Sequence, residues 1–221
     1  MISHELRTPL TSVRGFLELL SMGALGEVSK QAVEQSERVH ANVERLIKLI
    51  NDLLDLEKME AGKMQMSPES ISLNAVVEQS LESVTELSKK GEVQIQVEPF
   101  QLDVFADADR LEQVLVNLLS NAIKFSNKNS KVFVSAEPEG DFVRVSVKDS
   151  GRGIPSDQQE LIFERYTQVD IKDGSKKGGT GLGLPVCKLI VEELGGKIGV
   201  HSKENQGSTF WFLLPIGDPS K

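Results

Sequence analysis

Between residues 29 and 60, apolar side chains recur at Val33, Val39, Val43, Leu46, Ile47, Ile50, Leu53, Leu54 and Leu56. Separations of three, four and seven put them in one stripe along a single long α-helix. The rest of that helix is polar, so the stripe needs another helix to cover it. The stretch before it supplies one, with a matching stripe at Leu6, Val13, Phe16, Leu17 and Leu20. Between the two, MGALGE breaks the pattern with Gly23 and Gly26, and an antiparallel helical hairpin follows. A lone hairpin buries one face poorly. Two hairpins from two copies would complete a four-helix bundle, so a homodimer is expected.

After Ala61 and Gly62 the period changes. KMQMSPESISL reads as a connection, with the domain boundary set between residues 66 and 67, giving domains 1–66 and 67–221. Downstream, a helix near residues 73–88 leads to strands VQIQV and LDVFA and a helix over 108–125. Strands KVFVSAE and FVRVSVKD, a glycine-rich middle, a helix over 182–194 and strands KIGVHS and STFWFLLP complete the chain. Period-two runs interleaved with helices predict an α/β sandwich, helices packed on a mixed sheet. The whole is therefore α plus α/β.

The formal charge of −8 argues against a nucleic-acid partner, because phosphate backbones need a basic face. An acidic chain that binds a polyanion needs local help from a metal ion, a few lysines or aimed backbone N–H groups. The three histidines, His4, His40 and His201, lack metal-ligand spacing, so no zinc site is expected. A single cysteine, Cys187, rules out an internal disulfide and suits the cytoplasm. No secretory leader is visible, and apolar runs are too short to span a membrane.

Two glycine clusters stand out, DSGRGIP (149–155) and GGTGLGL (178–184). Neither has dinucleotide-fold or P-loop spacing, and each alone could be a tight turn. Asp149, however, closes a strand with Val143, Val145 and Val147, so its carboxylate should sit at a sheet end beside Gly151 and Gly153. A carboxylate there could accept a hydrogen bond from an exocyclic amine, worth about 1.5–3 kcal/mol. Gly179, Gly181 and Gly183 precede a helix expected from about Leu184, a plausible phosphate seat with Pro185 in its first turn. In LVNLLSNAIKFS, Asn117, Asn121 and Lys124 share one helical face. Amides and an ammonium there could serve a Mg²⁺-triphosphate.

SHELRTPL, NLLSNAIKFS, DSGRGIP, IFERY, GGTGLGL and GSTFWFLLP, in this order, resemble the H, N, G1, F, G2 and C-terminal G boxes of sensor histidine kinases. The likeness runs over nearly the whole chain. It implies a dimerisation and histidine-phosphotransfer hairpin followed by an ATP-binding domain of the gyrase-like type. By that resemblance His4 is the phosphorylated residue, Glu5 orients its imidazole, and Thr8 assists dephosphorylation of the partner, a response-regulator receiver domain. Asn121 would ligate Mg²⁺, with Asn117 and Lys124 on phosphate oxygens. Asp149 would read adenine, and Gly151 and Gly153 would let the nucleotide approach. Gly179, Thr180, Gly181, Leu182 and Gly183 would line ATP and hinge a lid over about 166–180, anchored by Phe163. Lys177 and Arg165 are the candidates for the γ-phosphate contact.

The family's first helix normally starts further upstream, so an input region is expected before Met1, and membrane attachment only through it. Two rivals share parts of the pattern. A gyrase- or chaperone-like ATPase would share the Asn, Asp and Gly boxes but has no need of SHELRTP. A degenerate kinase acting as a binding module would have lost polar groups that this chain retains. Pro9, which removes one helical hydrogen bond at a cost of about 3 kcal/mol or more, is expected to bend the helix beside His4.

Overall fold

The computed structural model describes residues 2–26, 28–167 and 180–217, with residues 2–7 and Glu60 in backbone only. The chain divides into two units, Met1–Lys63 and Met64–Lys221.

In the first unit, α1 (Ile2–Ser21) and α2 (Lys30–Glu60) pack against each other. Ser29 caps α2, its hydroxyl accepting from the Ala32 N–H, and Gly23 and Gly26 turn the chain at φ values of +71° and +106°. Leu17 and Val43 are buried. The Ser36 hydroxyl donates to the Leu17 carbonyl at 3.2 Å, and Arg14 bridges Glu18 at 3.7 Å and Glu44 at 3.6 Å. The stripes read from sequence are wider than one hairpin covers: Val13, Phe16, Val39, Leu46 and Leu53 remain exposed, as does Leu19 outside them. The bend expected at Pro9 is not a break, since α1 runs through it as one helix.

In the second unit, β2 (Gln94–Val97), β4 (Lys131–Glu139), β5 (Phe142–Lys148), β7 (Gly207–Pro215) and β6 (Lys197–Lys203) form one sheet in that order. The β2–β4 pair is parallel and the others antiparallel. α3 (Leu73–Gly91), α4 (Ala108–Phe125) and α5 (Gly183–Glu193) cover its apolar face. Val132, Val134, Val143, Val145, Val147, Phe212 and Leu214 point into that core, where they meet Leu115, Leu118 and Leu119 of α4 and Val186 and Ile190 of α5. Asp107 caps α4 by accepting from the Arg110 N–H.

Two sequence expectations change here. The stretch read as pure connection contains β1 (Glu69–Ser72), and β3 (Asp103–Ala106) pairs with it antiparallel in a separate two-stranded sheet. LDVFA therefore does not join the main sheet. Four residues with one partly buried side chain, Ile71, carry too little period-two signal to mark a strand.

Candidate functional site

In the second unit α4 touches both glycine clusters, with Asn117 against Gly183 and the Phe125 carbonyl against Gly151. α4 brings Asn117, Asn121 and Lys124 to one face, as the spacing predicts, but at different depths. Asn117 is buried at 5% exposure, while Asn121 and Lys124 are half-buried. A methyl group on Gly183 would lie 3.4 Å from Asn117 Oδ1, so the start of α5 sits directly on that amide. The N-terminus of α5 has no side-chain cap of its own, and the Thr180 hydroxyl accepts from the Leu182 N–H at 3.2 Å one step before it. Pro185, third residue of α5, has no N–H to leave unpaired.

Asp149 is 4% exposed at the end of β5. Its Oδ1 accepts from the Gly151 N–H at 2.8 Å and the Ser208 N–H at 3.3 Å. Burial pushes its pKa above the ordinary carboxylate value, and the two backbone donors partly oppose that. Both bonds fall on Oδ1. Among the described residues no donor reaches Oδ2, so that oxygen can take a ligand's proton-bearing group.

The glycines of the first cluster work differently from the sequence reading. Gly151 is not a flexible spacer: a methyl group there would come within 2.4 Å of the Phe125 carbonyl and 2.9 Å of Asp149 Oδ1. Gly153, at φ +69°, would meet the Lys203 carbonyl at 2.0 Å. Both let the chain fit against itself. Gly207 does the same behind the acid, where a methyl group would lie 2.2 Å from the Asp149 carbonyl. The C-terminal glycine box thus holds Asp149 through Gly207 and Ser208, a role its position in the sequence did not reveal.

Lys177 and Gly179, with most of the expected lid, lie outside the described residues. The two flanks of that segment are tied together, because the Tyr166 N–H donates to the Gly181 carbonyl at 2.9 Å. Gly181, at φ +71°, has room for no side chain, as a methyl group would lie 2.9 Å from Tyr166 Cα. In the short 3₁₀ turn Leu161–Phe163, which packs on α5, the buried residue is Ile162, and Phe163 is only half-buried. Arg165 is exposed.

In the first unit, α1 carries His4 and Glu5, known in backbone only, and the exposed Thr8, whose carbonyl accepts from the Ser12 hydroxyl at 3.2 Å. His40 faces Glu18 at 3.4 Å, and His201 stacks on Trp211 with centroids 5.8 Å apart. Cys187 is buried with its Sγ 3.9 Å from the Val114 carbonyl, a packing role. Sequence reasoning missed Arg152 and Phe125, which stack at 4.5 Å between the first glycine cluster and the end of α4. A cation inside a glycine motif was the available signal.

Among the described residues, no helix is long and apolar enough to cross a membrane, and no group of three His, Cys, Asp or Glu side chains gathers to hold a metal. Residues 106–218 match the family described as histidine kinase-, DNA gyrase B- and HSP90-like ATPase, and residues 1–62 match the His Kinase A (phospho-acceptor) domain. The chain is 41% identical over 218 residues to the circadian input-output histidine kinase CikA of Synechococcus elongatus, covering 97% of this chain and 29% of that protein. It is 36% identical over 222 residues to the signal transduction histidine-protein kinase BarA of Escherichia coli, covering 97% of this chain and 24% of that protein. The crystal structure of full-length ShkA in complex with AMPPNP matches with a TM-score of 0.79 at 29% identity, over 98% of this chain and 45% of that one. The catalytic domain of the histidine kinase ThkA matches with a TM-score of 0.59 at 34% identity, over 68% of this chain and 97% of that one. The chain thus spans under a third of these two curated relatives. With a phospho-acceptor hairpin and a gyrase-like ATPase domain in succession, it belongs to the histidine kinases of two-component signalling.

Proposed function

We propose that this chain moves the γ-phosphoryl group of ATP onto His4 and passes it to an aspartate of a response-regulator receiver domain. The observation that supports this best is that α4 touches both glycine clusters, with Asn117 against Gly183 at the start of α5 and the Phe125 carbonyl against Gly151 in the Asp149 loop. The same chain carries a helix reading His-Glu-x-x-Thr.

Asp149 Oδ2 accepts from the adenine amino group while Oδ1 stays on its two backbone donors. Gly151 and Gly153 keep the surrounding loop tight. The phosphates lie toward α5, where Gly179, Thr180, Gly181, Leu182 and Gly183 offer backbone N–H groups and the helix N-terminus favours negative charge. Asn117 and Lys124 meet phosphate oxygens, and Lys177 and Phe163 belong to the segment that closes over them. Asn121 would supply an amide oxygen to a Mg²⁺ ion that arrives with its nucleotide, a hard cation that takes oxygen ligands. When bound, that ion neutralises charge developing on the phosphates.

One ring nitrogen of neutral His4 forms a bond to the γ-phosphorus as the bond to ADP breaks. Glu5 holds the proton on the other nitrogen and raises the nucleophile's basicity. Thr8, one helical turn on, orients a water for the reverse phosphatase reaction on the receiver. The active form is a homodimer on the cytoplasmic side.

Mixing the phosphorylated chain with a receiver domain tests the relay. Label should move to the receiver and not to a receiver whose acceptor aspartate is changed to asparagine. Thr8→Ala should leave that transfer intact and slow receiver dephosphorylation on the order of 100-fold, as misplacing a reacting water does. Label that stays on the chain would contradict the relay, and unchanged dephosphorylation in Thr8→Ala would contradict the role of Thr8.

A further inference from the structure

Arg152, between the two glycines of DSGRGIP, carries its guanidinium 4.5 Å from the Phe125 ring centroid. Phe125 ends α4, and Lys124 Nζ also lies 4.8 Å from that ring. Arg152 is half-buried, and loss of solvent lowers its pKa. Among the described residues no carboxylate pairs with it. A guanidinium that gives up water usually takes an acid in exchange; this one takes the face of an aromatic ring. The π-face holds the cation and adds no negative charge.

The stack joins two further contacts between the same segments. The Phe125 carbonyl fills the space beside Gly151, and Asn127 Nδ2 donates to the Ser150 carbonyl at 3.4 Å. The first segment carries Asp149, and the second carries Asn121 and Lys124.

Resting on the nucleotide reading above, we infer that Arg152 is a positioning residue that clamps the Asp149 loop to the end of α4 through Phe125, setting nucleotide affinity from the adenine end. It acts through the ring and touches no phosphate. Its removal therefore weakens adenosine, ADP and a non-hydrolysable ATP analogue by the same factor, whereas a phosphate contact would be lost in proportion to phosphate number.

The experiment is titration calorimetry of the 221-residue chain with those three ligands, alongside the labelling rate at saturating ATP. Arg152→Met, which keeps the apolar stem and loses the charge, should weaken all three about two- to fivefold, the usual worth of an exposed cation–π contact. Arg152→Lys should recover part of the loss. In a Phe125→Leu background the Arg152→Met change should have no further effect, and phosphorylation at saturating ATP should keep its wild-type rate in Arg152→Met. Additive losses in the double variant, a loss that grows with phosphate number, or Arg152→Met binding like wild type would each overturn the inference while leaving the nucleotide site standing. Failure of the wild-type chain to bind any of the three would overturn the nucleotide reading and the inference with it.

Discussion

Asp149 is a carboxylate at 4% exposure whose burial no cation offsets among the described residues. Desolvation raises its folded-state pKa above the ordinary 3.8, against the pull of the Gly151 and Ser208 N–H groups. A raised folded-state value means that its contribution to stability is full below 3.8 and is lost as pH rises through the folded-state pKa. At neutral pH the ionised group therefore costs stability, a cost that a ligand using the charge would offset. Asp149→Asn should melt at or above the wild-type temperature, while adenine nucleotides bind about 10- to 100-fold more weakly through loss of a charged acceptor. Wild-type affinity should fall as pH drops through the raised pKa, and the variant's should stay flat. Thermal melts and calorimetric titrations across pH check both, and wild-type-like binding by Asp149→Asn would remove this residue from the site.

The hairpin and the sheet helices were legible because their apolar residues repeat at 3.6, and the Asp107 cap that starts α4 emerged only in the structure. Periodicity did not separate the two apolar faces of the hairpin: Leu17 packs under α2, while Phe16 beside it is 57% exposed. We propose the exposed series Val13, Phe16, Leu19, Val39, Leu46 and Leu53 as the surface that a second hairpin would cover in the dimer that the phospho-acceptor domain implies. Phe16→Glu should weaken that dimer by about 1.5–3 kcal/mol for each ring no longer buried, with helicity retained because Leu17 and Val43 stay buried within the hairpin. Sedimentation velocity across concentration reads the shift to monomer, and a variant as dimeric as wild type would move the interface elsewhere. In the glycine clusters the motif was legible and its reason was not. The atoms that exclude a side chain at Gly151 and Gly153 belong to Phe125 and Lys203, distant in sequence, and local spacing carries no trace of them.

Under the proposed function, the phosphoryl acceptor His4 belongs to the unit Met1–Lys63 and every nucleotide-contacting residue to the unit Met64–Lys221. Binding and transfer are then separable by mutation. Under the same proposal, a net charge of −8 leaves the triphosphate dependent on local devices: Mg²⁺ at Asn121, the start of α5 and Lys124. Incubation with Mg²⁺ and γ-labelled ATP puts both ideas to one test, by comparing the wild-type chain with His4→Gln. The wild type should take up label that is lost in acid and stable in alkali, as a phosphoramidate is. His4→Gln should bind nucleotide as tightly as wild type and take up none. Label that persists in His4→Gln, or free phosphate released by the wild type with no label on the protein, would contradict a histidine kinase acting through His4.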